Sequence, residues 1–312
     1  MSPPNKALLQ IHFCVVLWGF TAILGKLITL PALALVWWRM LIVVAILALL
    51  PRVWRTVRSL PTRTLLAYAG IGVIVALHWL TFYGAIKLAN ASVAATCMAV
   101  GPIFMALVEP WIVGRRFDVR ELLIGIAAVP GVALVIGGTP MDMHLGIAVG
   151  ILSTFLVAVF GSLNKRYVEH ADPLAMTSIE LAAGTLFLTA VALALPQSGF
   201  DLVQPDARDA VLLGVLAVGC TLVPFALSLV ALKNTSAFSA QLAVSLEPVY
   251  AILLAAVLLG EQHELDATFY LGVAVILATV LAHALMRGRD APASQAAAAI
   301  PSHRAAARED RP

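Results

Sequence analysis

Ten stretches of about 20 apolar residues follow one another along this chain, separated by short segments rich in Pro, Gly, Asn and Asp. Of the residues, 61% are hydrophobic and 12% are charged, so the chain needs lipid as its solvent. Continuously apolar runs predict helices, because the strands of a membrane barrel alternate in polarity and are shorter. The sequence therefore predicts an all-α membrane protein with ten transmembrane helices. The predicted spans are 8–28, 32–50, 65–86, 91–113, 121–138, 144–163, 174–195, 209–231, 237–259 and 267–286.

The second half of the chain repeats the first half. Residues 85–116 align without a gap with residues 231–262, and this register pairs Pro102 with Pro248. Each half holds five predicted spans, and because five is odd, the copies must cross the membrane in opposite directions. Inverted repeats are typical of secondary transporters, whose halves exchange conformations to open one side and close the other. The expected domains are a first repeat at 1–140, a second repeat at 141–286 and a disordered cytoplasmic tail at 287–312.

Basic residues indicate the orientation of the spans, because they gather on alternate loops, as cytoplasmic loops do. These residues are Arg52, Arg55, Arg58, Arg63, Arg115, Arg116, Arg120, Lys165, Arg166, Arg287 and Arg289. We therefore expect a multi-pass protein of the cytoplasmic (inner) membrane with both termini in the cytoplasm. The net charge of +3 is spread over separate loops, which argues against nucleic acid as a partner.

Three segments suggest a family: WGFTAILGK in the first span, AIKLANASVAATCMAVGPIFMALVEP in the fourth and LKNTSAFSAQLAVSLEPVYAILLAAVLLGE in the ninth. Together they resemble an EamA-type member of the drug/metabolite transporter (DMT) superfamily. The resemblance implies two inverted five-helix repeats, a central substrate cavity and transport of small metabolites, often outward. The sequence departs from the family pattern at Arg115, where Glu is usual and Glu261 keeps it, and at Phe160, where Trp is more frequent.

Glu247 lies about ten residues into its predicted span, near the midplane, where an acid cannot reach the headgroups. The following Pro248 frees the backbone carbonyl four residues earlier. This arrangement suits a site for a proton or a cationic substrate, and the alternative is a protonated Glu that is hydrogen-bonded between helices. The aligned residues are Gly101 and Pro102, so the kink is repeated and the charge is not. Pro224 is a third expected kink.

His78 and Trp79 also lie near the middle of a span, with Tyr83 one turn later. An imidazole can relay protons or bind an anion, and the aromatic rings can stack on an apolar or aromatic substrate. The alternative is aromatic packing around a neutral His. Trp18 belongs either to a cavity wall or to the aromatic belt at the membrane interface.

Arg39 and Glu180 occupy matching positions in the two repeats. Inversion places them near opposite membrane faces, so we expect each to line its own vestibule or to snorkel, without a direct ion pair between them. For Glu109, near a span end, we expect helix-end electrostatics rather than a gate contact. The complete set of expected substrate-binding or coupling residues is Glu247, His78, Trp79, Tyr83, Trp18, Arg39, Glu180 and Tyr250.

The spans contain no pattern typical of an enzyme. Every Asp lies in a predicted loop, at the very start of a span or in the tail, HExxH and GxSxG are absent, and Cys14, Cys97 and Cys220 stand alone. We expect no metal and no cofactor. The expected function is secondary transport of a small metabolite (an amino acid, an amphipathic metabolite or a drug), with export as the direction and proton coupling through Glu247 and His78. A channel, a membrane scaffold and an intramembrane enzyme are the alternatives. The expected partners are the substrate and the lipid bilayer, and a homodimer is left open.

Overall fold

The computed structural model describes residues 3–194 and 203–279, except for the side chains of Pro3 and Ile124. Within these ranges the chain forms helices joined by short turns and contains no strand, so the predicted all-α class is confirmed. The helices are α1 (Pro3–Leu27), α2 (Ala32–Ala48), α3 (Pro51–Ser59), α4 (Thr62–Leu88), α5 (Ala91–Met98), α6 (Gly101–Val113), α7 (Val119–Ala127), α8 (Val129–Gly137), α9 (His144–Tyr167), α10 (Pro173–Ala194), α11 (Ala207–Ala217), α12 (Val223–Leu232), α13 (Ala237–Val244), α14 (Glu247–Leu259) and α15 (Ala267–Thr279).

The described helices do not establish ten membrane spans. Seven helical segments are long and apolar enough to cross a membrane, and the number rises to nine if each of two bent helix pairs counts as one span. Helix α15 is apolar but is described only as far as Thr279. The rest of the predicted span 267–286 and the predicted tail 287–312 lie outside the described residues.

A helix replaces most of the first basic loop that the sequence predicts. Helices α2 and α3 meet at an angle of 93°. Helix α3 starts at Pro51, because proline fits the first turn of a helix but cannot continue the preceding one. Arg52, Arg55 and Arg58 are exposed on α3, while Val53 is buried. The sharp turn keeps these charges out of the apolar layer, which is the behaviour of a helix at the membrane surface.

A π-helical turn at Val218–Leu222 joins α11 to α12. Such a turn contains an extra residue, which disturbs the regular hydrogen-bond ladder and is frequent at functional sites. The hydroxyl of Thr221 donates to the carbonyl of Leu216 at 2.7 Å, and Pro224 follows in the first turn of α12. The helix is therefore irregular where Pro224 predicts a kink.

The sequence repeat is visible in the helix boundaries. Helices α5 and α13 start at aligned residues and have equal lengths, and so do α6 and α14. Helices α6 and α14 both end at a left-handed glycine, Gly114 with φ 78° and Gly260 with φ 72°. The start of α5 lies against the end of α14, and the start of α13 lies against the end of α6. The segment α5–α6 and the segment α13–α14 therefore run in opposite directions, as the inverted repeat requires.

Helix packing brings the two repeats together. Helix α4 packs against α9 and α10 of the second repeat, and α1 packs against α12 and α14. The approach of α4 to α10 depends on Gly72, since a Cβ at this position would lie 2.8 Å from the Cα of Glu180. Helices α1 and α4 belong to the first repeat, whereas α9, α12 and α14 belong to the second. The space that these helices enclose therefore lies between the repeats.

Candidate functional site

A cavity of about 120 Å³ lies between the two repeats. Most of its wall is apolar, and the larger of these side chains are Ile11, Trp18, Trp79, Phe82, Met98, Met105, Val157, Phe160, Phe225, Leu232 and Val244. The polar side chains of the wall are Thr21, Arg39, His78, Asn164, Ser228, Gln241 and Glu247. A mostly apolar cavity with a few polar groups is the usual form of a small-molecule site.

Arg39 is the cation of this cavity wall. Helix α2 carries it into the protein, where it is only 1% exposed. Its Nη1 donates to the hydroxyl of Tyr83 at 2.8 Å, its Nε donates to the hydroxyl of Thr221, and its Nη2 donates to the carbonyl of Cys220 at 3.3 Å. The centre of the guanidinium lies 3.8 Å from the ring centroid of Trp79, which is a cation–π contact. The π-helical turn thus supplies two acceptors that hold Arg39 in place.

No carboxylate within residues 3–194 and 203–279 neutralises Arg39 by direct contact. Among the described residues, the ion pairs within 4.0 Å are those of Arg115 with Glu109 and Glu121. Glu247 is close enough to Arg39 for an electrostatic interaction but forms no ion pair with it. The cavity therefore contains a fixed guanidinium and a carboxyl group that are not joined to each other.

Glu247 is the first residue of α14 and is 6% exposed. The preceding helix, α13, ends at Val244, so Glu247 follows the break between the two helices. A carboxyl group at a helix start interacts favourably with the positive end of the helix dipole. Its side chain faces the cavity, which is the location that a role in substrate binding or proton coupling requires.

His78 is fixed against α9. Its Nδ1 lies 2.8 Å from the hydroxyl of Ser153 and 3.1 Å from the carbonyl oxygen of the same residue. The imidazole also lies against Phe160 and Phe82, with ring centroids 5.4 and 6.2 Å apart. These contacts hold the ring by aromatic packing and hydrogen bonding, and the same ring also lines the cavity.

The structure brings Glu247, His78, Trp79, Trp18 and Arg39 together in the cavity wall. The other expected residues lie elsewhere.

Tyr83 is fully buried behind Arg39, and its hydroxyl accepts a hydrogen bond from the Nη1 of Arg39. Glu180 is fully buried where α10 meets α4, beside the side chain of Asn164, and it makes no ion pair with Arg39. Tyr250 is 38% exposed on α14, at the point where Gly19 of α1 packs against it. Tyr83 and Glu180 therefore support the cavity from outside, and Tyr250 belongs to a helix contact.

The three expected kinks all lie where a helix begins again. Pro102 is in the first turn of α6, whose axis differs by 40° from that of α5. Pro248 occupies the aligned position in α14, and Pro224 begins α12 after the π-helical turn. The carbonyl of Pro224 accepts a hydrogen bond from Cys14 at 3.3 Å. The breaks give the cavity wall its irregular backbone.

Four polar residues of the cavity wall were not identified from the sequence: Thr21, Asn164, Ser228 and Gln241. The Oγ1 of Thr21, the Oδ1 of Asn164 and the Nε2 of Gln241 are buried and have no hydrogen-bond partner among the described residues. Buried polar atoms are nearly always satisfied in proteins, so these atoms are available to a bound molecule. Gln241 is an amide within a predicted span, which is the signal that would have identified it.

Comparison with known proteins identifies the family of this chain. The model of a family described as the EamA-like transporter family matches residues 5–137 and 144–283. A search of curated proteins finds no match. One solved structure, described only as a crystal structure of a protein, is 16% identical and covers 91% of this chain and 98% of its own, with a TM-score of 0.64. At this identity the likeness shows the fold alone. The chain belongs to the EamA-like transporter family of the DMT superfamily and is a multi-pass membrane protein.

Proposed function

We propose that this protein is a secondary carrier for a small amphipathic metabolite that bears a carboxylate, with amino acids as the first class to test. The main support is the state of Arg39, a buried cation in the cavity wall that forms no ion pair with a carboxylate of the described residues. Burial of a charge is costly unless the charge is compensated. A substrate carboxylate that enters the cavity compensates the charge of Arg39 and gains the charge-assisted hydrogen bonds of a guanidinium.

The rest of the wall supports the amphipathic part of the proposal. Glu247 supplies a second polar group, which can accept hydrogen bonds from a substrate ammonium. Trp79, Phe160 and Phe225 offer ring surfaces to an apolar or aromatic side group. A single arginine lines the described cavity, whereas sugar phosphates and nucleotide sugars favour several fixed cations. A carboxylate on an otherwise apolar molecule therefore fits this wall better than a phosphate does.

The inverted repeat supports alternating access as the mechanism, because two antiparallel copies of one unit can exchange conformations around a site between them. The basic, exposed face of α3 supports the orientation with both termini in the cytoplasm. We place the protein in the cytoplasmic membrane and propose export, in keeping with the family's frequent direction. Glu247 and His78 are the groups through which we propose proton coupling.

Counterflow in proteoliposomes tests the proposal. Proteoliposomes that contain the purified protein are preloaded with unlabelled amino acids. The accumulation of labelled amino acids is then followed with and without a pH gradient. We expect saturable counterflow of at least one amino acid. We expect Arg39→Gln to raise KM about tenfold or more, because a hydrogen bond to a charged group contributes about 1.5–3 kcal/mol.

Arg39→Lys keeps the charge without the planar fork and should fall between the wild type and Arg39→Gln. Arg55→Gln, on the exposed face of α3, is the matched control and should transport like the wild type. Unchanged KM in folded Arg39→Gln would contradict a role of this residue in binding. Conductance without saturation would indicate a channel, and no flux of any compound through folded protein would favour a scaffold.

A further inference from the structure

Two glutamates bind the starts of helices in the opposite repeat. Glu261, just after α14, accepts hydrogen bonds from the backbone N–H of Ala91 at 3.0 Å and of Ser92 at 2.9 Å, at the start of α5. Glu109, in α6, accepts hydrogen bonds from the backbone N–H of Ala237 and of Phe238, both at 3.0 Å, at the start of α13. Each repeat therefore satisfies the unpaired N–H groups with which a helix of the other repeat begins.

The two glutamates do not occupy aligned positions. Glu261 follows the left-handed Gly260, and the residue that follows the aligned Gly114 is Arg115. Glu109 lies earlier in the chain, within α6, and aligns with Ala255 of α14. The first repeat therefore lacks a carboxylate at the position that the second repeat uses, and Glu109 supplies one from another position.

Arg115 binds the carboxylate of Glu109. It donates from Nη2 to Glu109 at 3.0 Å and also to Glu121 at the start of α7. Glu109 is only 1% exposed, so its charge needs both the helix start and a cation to offset the cost of burial. Arg115, Glu109 and the start of α13 therefore form one structural unit, and Arg115 is the residue that departs from the family pattern.

This unit also determines part of the cavity wall. Helix α13, whose start Glu109 binds, contributes Ala237, Gln241 and Val244 to the wall, and the next helix begins with Glu247. We propose that Glu109 is a positioning residue that has replaced the carboxylate expected at position 115, and that it fixes α13 and hence the polar groups of the cavity. Glu261 has the same role for α5, since the segments α5–α6 and α13–α14 are antiparallel and Glu261 follows the end of α14.

Rebuilding the pattern of the second repeat in the first repeat tests the replacement. A carboxylate at position 115 would face Glu121, so the comparison is made without that acid. The reference variant is Glu109→Ala/Glu121→Ala, and the test variant adds Arg115→Glu to it. We expect the reference variant to unfold several degrees below the wild type in detergent, and the added carboxylate to restore at least half of that loss. Glu121→Ala alone and the exposed Glu169→Ala are the controls.

Transport supplies a second readout, which rests on the proposed function. In the folded fraction, Glu109→Ala should raise KM several-fold, because α13 carries Gln241 to the cavity, and the added Arg115→Glu should lower KM again. Arg115→Glu in the wild-type background should be destabilising, since it places like charges beside Glu109 and Glu121.

The stability arm decides the inference even if no variant transports anything, a result that would count against the proposed function alone. Loss of stability in the reference variant without recovery on adding Arg115→Glu would overturn the replacement. Wild-type stability and KM in Glu109→Ala would overturn the positioning role. If Glu109→Ala does not fold, Glu109→Gln, which keeps one acceptor oxygen, replaces it in both the reference and the test variant, and no gain in stability on adding Arg115→Glu would contradict the inference.

Discussion

A close contact between two backbones shows how individual residues determine the shape of this protein. At Gly72, a Cβ would lie within 3 Å of the Cα and the carbonyl carbon of Glu180, so α4 and α10 would have to separate. At Gly70, two residues earlier in the same helix, a Cβ would meet no atom within 4 Å. The two positions differ in packing and not in helix geometry, which makes them a matched pair.

We expect Gly72→Ala to destabilise the protein by about 1–3 kcal/mol, as overpacking usually does. Gly70→Ala should be neutral or should stabilise α4 by up to about 1 kcal/mol, because alanine is the better helix former. Thermal unfolding in detergent, followed by tryptophan fluorescence, measures both variants. Equal midpoints for the two variants would contradict the close approach of α4 to Glu180.

Charge and depth were sufficient to find part of the site from the sequence. An ionisable group in the middle of an apolar span cannot reach the headgroups, and this reasoning identified Glu247, which lines the cavity. Arg39 was expected near a membrane face, in its own vestibule or snorkelling, but it is only 1% exposed and lines the same cavity as Glu247. The same reasoning selected Glu180, which is buried outside the cavity wall, because depth does not reveal which way a side chain points. Gln241 is a neutral amide within a predicted span, and Asn164 lies just after one, so an argument from charge did not select either residue. The packing shows that both line the cavity.

At the scale of helices, prolines predicted the breaks and could not predict the π-helical turn. Pro102, Pro224 and Pro248 each lie in the first turn of a new helix, as the missing N–H requires. The π-helical turn at Val218–Leu222 has no signature in the neighbouring sequence. The carbonyl of Cys220 and the hydroxyl of Thr221 accept hydrogen bonds from Arg39, which lies far away in the sequence. The basic surface helix α3 was likewise visible as charge but not as helix.

The π-helical turn makes a testable contribution through Thr221. Its hydroxyl accepts a hydrogen bond from the Nε of Arg39 and donates one to the carbonyl of Leu216. We expect Thr221→Val, which has the same shape without the hydroxyl, to raise KM about tenfold, because a buried donor left without a partner costs about 1–3 kcal/mol. Thr221→Ser keeps the hydroxyl and should stay close to the wild type. Equal KM values for the valine and serine variants would show that the turn does not hold Arg39 for binding.

At the scale of the whole molecule, the inverted repeat determines where the cavity lies. The aligned starts and ends of α5, α6, α13 and α14 follow from the duplicated sequence, and their antiparallel arrangement follows from the odd number of spans expected in each half. The sequence therefore predicted the symmetry. It did not predict the asymmetry of the cavity, which extends from Arg39 and Glu247 towards Leu232 and Ala237, near the end of α12 and the start of α13.

This asymmetry predicts which side of the membrane can reach the cavity. Ser228 lines the cavity on α12, whereas Val230, two residues later, is 38% exposed on the outside of the helix. With Cys14, Cys97 and Cys220 replaced by alanine, we expect Ser228→Cys to react with a charged methanethiosulfonate reagent. The reagent should act from the face that bears Arg115 and Arg166, since the cavity extends towards the ends of α9 and α12 on that face. Val230→Cys should stay unreactive from both faces, because lipid excludes a charged reagent. Substrate should slow the labelling of Ser228→Cys, and faster labelling from the opposite face would mean that the described conformation opens the other way.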